Sequence, residues 1–185
     1  MRATVNLQIL GFVIAICVLL IVSVGIGATL HPSVFLRPKP HGKTETFTLK
    51  GSSLSPVYFS GQVLEMQTEG GQRISRGDYI VFYHPRRSEV FAKRVIAHSG
   101  DEMKIRHGYL FVNGVLQKNS MGANYVLTDP SLEALLAMQS RVPENMLFVL
   151  GENPRGSDDS SRFTWLPEQN VIGRIITPPN TELDF

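Results

Sequence analysis

The sequence predicts a mainly β domain of partly closed antiparallel sheets with one short helix, preceded by one N-terminal transmembrane helix. Three observations predict it. No charged residue occurs from Ala3 to Leu30. Beyond residue 44, short β-prone runs alternate with Gly and Pro turn signals. Only one later stretch, after Asp129, carries apolar residues at helical spacing.

The apolar run has a core, Ile9 to Ile26, rich in Ile, Val and Leu. Crossing a bilayer takes about 20 such residues. A cleavable signal peptide would use Arg2 as its basic start and Gly25-Ile26-Gly27 as its small-residue site, but its apolar core is usually about 7–15 residues, shorter than this one. The expected organisation is an anchor over 7–30, a Pro- and His-containing linker over 31–44, and a catalytic domain over 45–185. Arg37, Lys39 and Lys43 follow the span, and only Arg2 precedes it. Charge counting therefore places the following domain in the cytoplasm, although that rule is weak for long domains.

Within the domain, Glu45–Leu49, Val63–Gln67, Asp78–Tyr83 and Val90–His98 read as strands. Tyr109–Val112 and Val115–Leu116 flank Asn113-Gly114, a dipeptide that supplies the positive φ angles of a type I′ hairpin turn. Asp129 caps the helix, Pro130 suits its first turn, and Leu132, Leu135 and Leu136 form its apolar face. Leu147–Leu150 and Val171–Ile176 close the series. With 185 residues the chain favours one domain, large enough for a core.

Composition excludes several classes. A net charge of +2 without a block of like charges leaves no nucleic-acid footprint. The single cysteine, Cys17, lies in the apolar run, so there is no intramolecular disulfide and no Cys–His zinc pattern. His31, His41, His84, His98 and His107 match no zinc motif and read as surface or loop residues.

Three stretches carry the chemistry. Gly51-Ser52-Ser53-Leu54-Ser55-Pro56 is a turn with three competing serines. Its backbone N–H groups could stabilise an oxyanion, and taken alone it is an ordinary Gly/Ser/Pro loop. In Val90–Ala97, alternation puts Phe91, Lys93 and Val95 on one strand face and Arg94 on the other. A lysine activates a serine only if its amine is neutral near pH 7, which burial among apolar groups achieves. Strand context alone instead favours an edge-strand lysine that guards against aggregation. The third stretch gathers Ser157, Asp159, Ser160 and Arg162, either a polar loop around an active lysine or a solvated surface loop.

Together these stretches resemble type I signal peptidase, a membrane-bound serine–lysine endopeptidase family. Gly51 to Pro56 is similar to the family motif G-x-S-M-x-P, and this picks Ser53 as the nucleophile. Arg76 to Phe82, Lys93-Arg94-Val95-Ile96, Gly100-Asp101 and Val112-Asn113-Gly114 resemble its next boxes in order, and Gly151 to Ser161 its last, G-D-N-x-x-x-S-x-D-S-R. The chain departs from the pattern at Leu54 for methionine, Val57 for threonine, Glu152 for aspartate, and Ser161 for arginine, with Arg162 one residue late. Gly51 stands where some members carry a second oxyanion-hole serine.

The resemblance implies a fold and a set of roles. Ser53 is the nucleophile and Lys93 the general base. Ser157 orients Lys93, and Asp159 supports the site with Arg94 as partner. The Ser53 N–H and the Ser52 hydroxyl form the oxyanion hole. Phe47, Leu49, Leu54, Val81 and Ala92 line pockets for small residues at the first and third positions before the cut. Ala92 is smaller than the residue often found there, so a somewhat roomier pocket is expected. The implied substrates are preproteins with signal peptides, cut after Ala-X-Ala-type sites. The implied partners are the lipid bilayer and the protein export machinery, with no metal or organic cofactor. The implied location is the cytoplasmic membrane, single-pass, with the catalytic domain on the extracytoplasmic side, against the charge pattern.

Alternatives are a maturation peptidase dedicated to one secretion or conjugation system, and a catalytically silent anchored β domain acting in assembly. A third is a relative of the self-cleaving repressors, which the run Leu7–Leu30 in place of a DNA-binding region argues against.

Overall fold

The computed structural model describes residues 42–68, 73–153 and 157–180. The expected anchor over 7–30 and most of the linker over 31–44 lie outside the described residues. Among the described residues no helix is long and apolar enough to cross a membrane.

The elements are β1 (Thr44–Thr48), β2 (Val63–Gln67), β3 (Tyr79–Tyr83), β4 (Val90–His98), β5 (Met103–Arg106), β6 (Tyr109–Val112), β7 (Val115–Leu116), α1 (Pro130–Met138), β8 (Met146–Leu150), α2 (Ser160–Phe163), β9 (Leu166–Pro167) and β10 (Val171–Ile175). A seven-stranded antiparallel sheet runs in the order β1-β2-β10-β3-β4-β8-β9, and β5-β6-β7 form a second, three-stranded sheet. Among the described residues the fold is therefore mainly β, with antiparallel sheets and one helix longer than a single turn, as the sequence predicts for this part of the chain.

The Asn-Gly turn forms as expected, with φ of 49° at Asn113 and 78° at Gly114. Asp129 caps α1 by accepting from the Ser131 N–H at 2.8 Å. Leu132 and Leu136 are buried, and Leu135 packs beside them. Three elements were not anticipated. Strand β5 alternates Met103 and Ile105 with Lys104 and Arg106, a period-2 signal in only four residues. Strand β9 has two residues, and α2 is a single turn with no room for periodicity.

Alternation on β3 places its residues in two cores. Val81 joins Leu49, Leu54, Leu64 and Ala92, whereas Ile80 and Phe82 join Val95, Leu147, Val149 and Phe163. A third core, under α1 and the small sheet, contains Met103, Leu110, Val112, Leu132, Leu136 and Phe148. Each large apolar side chain buried in this way contributes about 1.5–3 kcal/mol. The Gly100-Asp101 and Asn113 boxes meet where the sheets join: Asn113 Nδ2 donates to Asp101 Oδ1 at 2.7 Å, and the Glu102 N–H donates to Asn113 Oδ1 at 2.8 Å. Among the described residues those boxes bond to one another and not to the serine turn.

Candidate active site

Strand β4 lies between β3 and β8, so Lys93 is on an interior strand, paired with Ile80 in register. The edge-strand reading of this lysine is thereby set aside. Lys93 is 1% exposed. Its same-face neighbours Phe91 and Val95 belong to the core around Phe82, and its Nζ lies 5.3 Å from the Phe91 ring centre.

The serine turn is fixed from below. Leu54, Val57 and Tyr58 are buried, and the Tyr58 N–H donates to the Leu54 carbonyl at 3.1 Å. Gly61 and Leu49 close the loop through the Gly61 N–H to Leu49 carbonyl bond, 2.8 Å. Gly51 adopts φ 81°, a conformation that favours glycine. The loop is also held from the side, because the Ser53 carbonyl accepts from the N–H groups of Glu152 at 2.8 Å and Asn153 at 3.1 Å.

These constraints bring Ser53 Oγ to 2.8 Å from Lys93 Nζ, with the amine donating. The amine also donates to the Ala92 carbonyl at 3.2 Å. Burial pulls the Lys93 pKa down from 10.5 to about 8, while the Asp159 and Asp158 carboxylates pull it back up. At that value about a tenth of the amine is neutral at pH 7, and the 2.8 Å line to Ser53 is a geometry in which a neutral amine can accept the serine proton. The Ser53 N–H donates no hydrogen bond among the described residues.

Phe47, Leu49, Leu54, Val81 and Ala92 fall in one apolar cluster, reached from the nucleophile through its chain neighbour Leu54. A cleft of about 340 Å³ is lined by Tyr125, Gly151, Asn153, Ser157, Asp159 and Arg162 among others.

Three expectations require correction. Ser157 does not bond Lys93. Among the described residues its buried Oγ has no hydrogen-bond partner, and it is turned toward Gly151, where a Cβ would meet it at 2.5 Å. Asp159 is not the partner of Arg94. Its two oxygens accept from the Gly151 N–H and the Ser161 N–H, each at 3.0 Å, so it caps α2 and ties that turn to β8. Arg94 instead faces Glu152, with Nη1 to Oε1 3.5 Å. Third, His84 is not a surface residue: it is 6% exposed. His31 and His41 lie outside the described residues. Ser52 is exposed, with its carbonyl accepting from Ser55 N–H at 3.0 Å and Asn153 Nδ2 at 3.4 Å. Arg162 is exposed and forms no ion pair with Asp159 among the described residues.

Glu152 is a site residue that sequence reasoning passed over as a mere variant of aspartate. Its carboxylate is 0% exposed. Oε1 accepts from the Tyr79 hydroxyl at 2.6 Å, and Oε2 from the Ser120 N–H at 2.7 Å and the Ser120 hydroxyl at 2.9 Å. Burial, together with this carboxylate, pushes the Tyr79 phenol far up. A long carboxylate in a motif that ordinarily carries a short one was the available signal.

A buried lysine bonded to a turn serine, beside an apolar pocket cluster, has the geometry of a serine–lysine acyl-transfer site. A family model described as "Signal peptidase, peptidase S26" matches residues 7–178, and the chain belongs to that family. It is 37% identical over 89 residues to thylakoidal processing peptidase 1 of Arabidopsis thaliana, covering 48% of this chain and 24% of that protein. It is 34% identical over 108 residues to probable signal peptidase I-1 of Synechocystis, covering 54% of this chain and 52% of that one. It is 30% identical over 165 residues to signal peptidase I of Bacillus caldolyticus, covering 83% and 84%. The chain thus spans about half or less of the length of the first two relatives and most of the third. A signal peptidase I crystal structure from Enterococcus faecalis matches at 28% identity with a TM-score of 0.44, over 55% of this chain and 96% of that one.

Proposed function

We propose that this protein is a membrane-anchored endopeptidase that removes N-terminal signal peptides by a Ser53–Lys93 dyad. The observation that carries the proposal is the 2.8 Å bond between a buried Lys93 amine and the Ser53 hydroxyl. Neutral Lys93 takes the Ser53 proton as Oγ attacks the scissile carbonyl. The Ser53 N–H stabilises the oxyanion, aided by the Ser52 hydroxyl. The protonated amine then gives its proton to the leaving amine, and an ester to Ser53 remains. The same amine activates water, which cleaves the ester and restores the hydroxyl.

The small substrate residues at the first and third positions before the cut bind against the cluster of Phe47, Leu49, Leu54, Val81 and Ala92. Residues 7–30 anchor the enzyme beside a substrate whose own signal peptide is in the bilayer. The domain faces the extracytoplasmic side, where signal peptides are cut. Protease protection on intact spheroplasts checks this, and a domain that stays shielded rules it out.

The test of function is cleavage of a preprotein with an Ala-X-Ala site by wild type, Ser53→Ala and Lys93→Met. Wild-type cleavage with loss in both folded variants is the expected result. Cleavage that survives Lys93→Met rejects the dyad. An inactive wild type rejects general signal-peptide processing and leaves a dedicated maturation substrate as the reading to pursue.

A further inference from the structure

We propose that Asp158 is a positioning residue for Lys93, clamped by Arg87 and His84 of the turn between β3 and β4. This goes beyond the dyad and rests on it. Asp158 lies between Ser157 and Asp159, on the loop immediately before α2. The rear of that loop is pinned to β8, by Asp159 to the Gly151 N–H and by the Ser160 hydroxyl, which accepts from the Val149 N–H at 3.0 Å. Asp158 reaches across to the β3–β4 turn through ion-pair contacts that are not hydrogen bonds: its Oδ2 lies 2.9 Å from Arg87 Nη1 and 3.8 Å from His84 Nε2.

His84 is built into this position. Its side chain is 3% exposed, and its ring packs against those of Phe91 and Phe163, each at 5.0 Å between centres. The Arg86 N–H donates to Nδ1 at 3.1 Å, which assigns the proton of the neutral ring to Nε2, on the Asp158 side. Burial holds the imidazole pKa below its ordinary value, as do Arg87 and Arg86, while Asp158 and Glu89 pull it up. Phe91 then connects the clamp to the base, with its ring against His84 on one side and 5.3 Å from Lys93 Nζ on the other.

The clamp has an electrostatic consequence. Asp158 and Asp159 are the carboxylates that favour the ammonium form of Lys93. Arg87 sits on Asp158 and offsets its field at the lysine. Removing the carboxylate frees more neutral amine, and removing the cation leaves less.

The experiment is the pH dependence of kcat/KM for the Ala-X-Ala preprotein in wild type, Asp158→Asn, Arg87→Ala and Arg87→Lys. Arg87 is 57% exposed on a turn, so its variants fold. The acid limb is expected to move to lower pH in Asp158→Asn and to higher pH in Arg87→Ala. Each displacement corresponds to a roughly two- to fivefold change in neutral amine at pH 7, the range of a partly exposed ion pair. Arg87→Lys restores the wild-type limb. The plateau kcat falls in Asp158→Asn and Arg87→Ala, with KM unchanged. Limbs that stay in place, or that move in the same direction in both variants, overturn the proposal. Lys93→Met in the same assay separates the two readings. Activity that survives there rejects the dyad itself, whereas loss there with unmoved limbs elsewhere rejects only the clamp.

Discussion

The backbone N–H of Glu152 donates to the carbonyl of Ser53 at 2.8 Å. The nucleophile turn and the last sequence box, about a hundred residues apart, are therefore one rigid unit. The residue before Glu152 makes that approach feasible. A Cβ on Gly151 would lie 2.8 Å from the Ser53 carbonyl oxygen and 2.5 Å from Ser157 Oγ. Gly151→Ala is therefore expected to displace the nucleophile, lowering kcat at least about tenfold, since small misplacements are costly. Overpacking should lower stability by about 1–3 kcal/mol. Kinetics beside a urea melt checks both, and full activity would show that the loop yields without moving Ser53.

The Glu152 side chain makes a second prediction. Its removal would leave the Tyr79 hydroxyl and the Ser120 N–H without their acceptor and Arg94 without its counter-charge. Glu152→Ala is expected to cost about 3–5 kcal/mol, as for a broken buried charge pair. Glu152→Asp is the more informative change. The shorter side chain cannot reach Tyr79 and Ser120 together, so restoring the family's aspartate should itself destabilise the protein, by about 1–3 kcal/mol. Equal urea midpoints for wild type and Glu152→Asp would mean that the neighbouring loops close the gap.

Lys93 titrates in two linked readouts. Its amine goes from 10.5 when unfolded to about 8 when folded. Between those values the unfolded chain binds more protons, so stability rises with pH across that window. Below pH 8 the folded state carries the full cost of a buried ammonium, about 3 kcal/mol. Lys93→Met removes that cost. The variant is expected to melt higher than wild type at pH 7 and to lose most of this advantage by pH 10.5. In wild type, kcat/KM should climb with pH and level off above about 8. A variant no more stable than wild type at pH 7 would mean that the lost bond to Ser53 offsets the relief.

Much of this was legible in the sequence, because the signals were local. Asn113-Gly114 dictates its own turn, Asp129-Pro130 its own helix start, and β4 runs over the expected Val90–His98. What strand alternation could not say was whether Lys93 lay on an edge or in the interior. That depends on β8, about 50 residues later, pairing with β4. Loop side chains were least legible. Ser157 and Asp159 lie in the expected loop, yet one points to Gly151 and the other caps α2, since a loop has no period from which to read direction. His84 gave no sign of its burial, because the residues that cover it, Phe91 and Phe163, come from other elements.

Ala92 supplies the last prediction. It pairs with Val81 in register and is 3% exposed within the cluster assigned to substrate side chains. Its methyl group is smaller than the side chain that a bulkier residue would place there. Wild type is therefore expected to cut Val-X-Ala and Ala-X-Ala substrates with similar kcat/KM. Ala92→Ile should slow the Val-X-Ala substrate by about 10- to 100-fold, the usual value of one or two methylenes in an apolar pocket, with a smaller effect on Ala-X-Ala. The ratio of the two rates is the measurement, because a general folding defect lowers both and leaves it unchanged. An unchanged ratio in a folded Ala92→Ile would remove Ala92 from the pocket and assign it to the core alone.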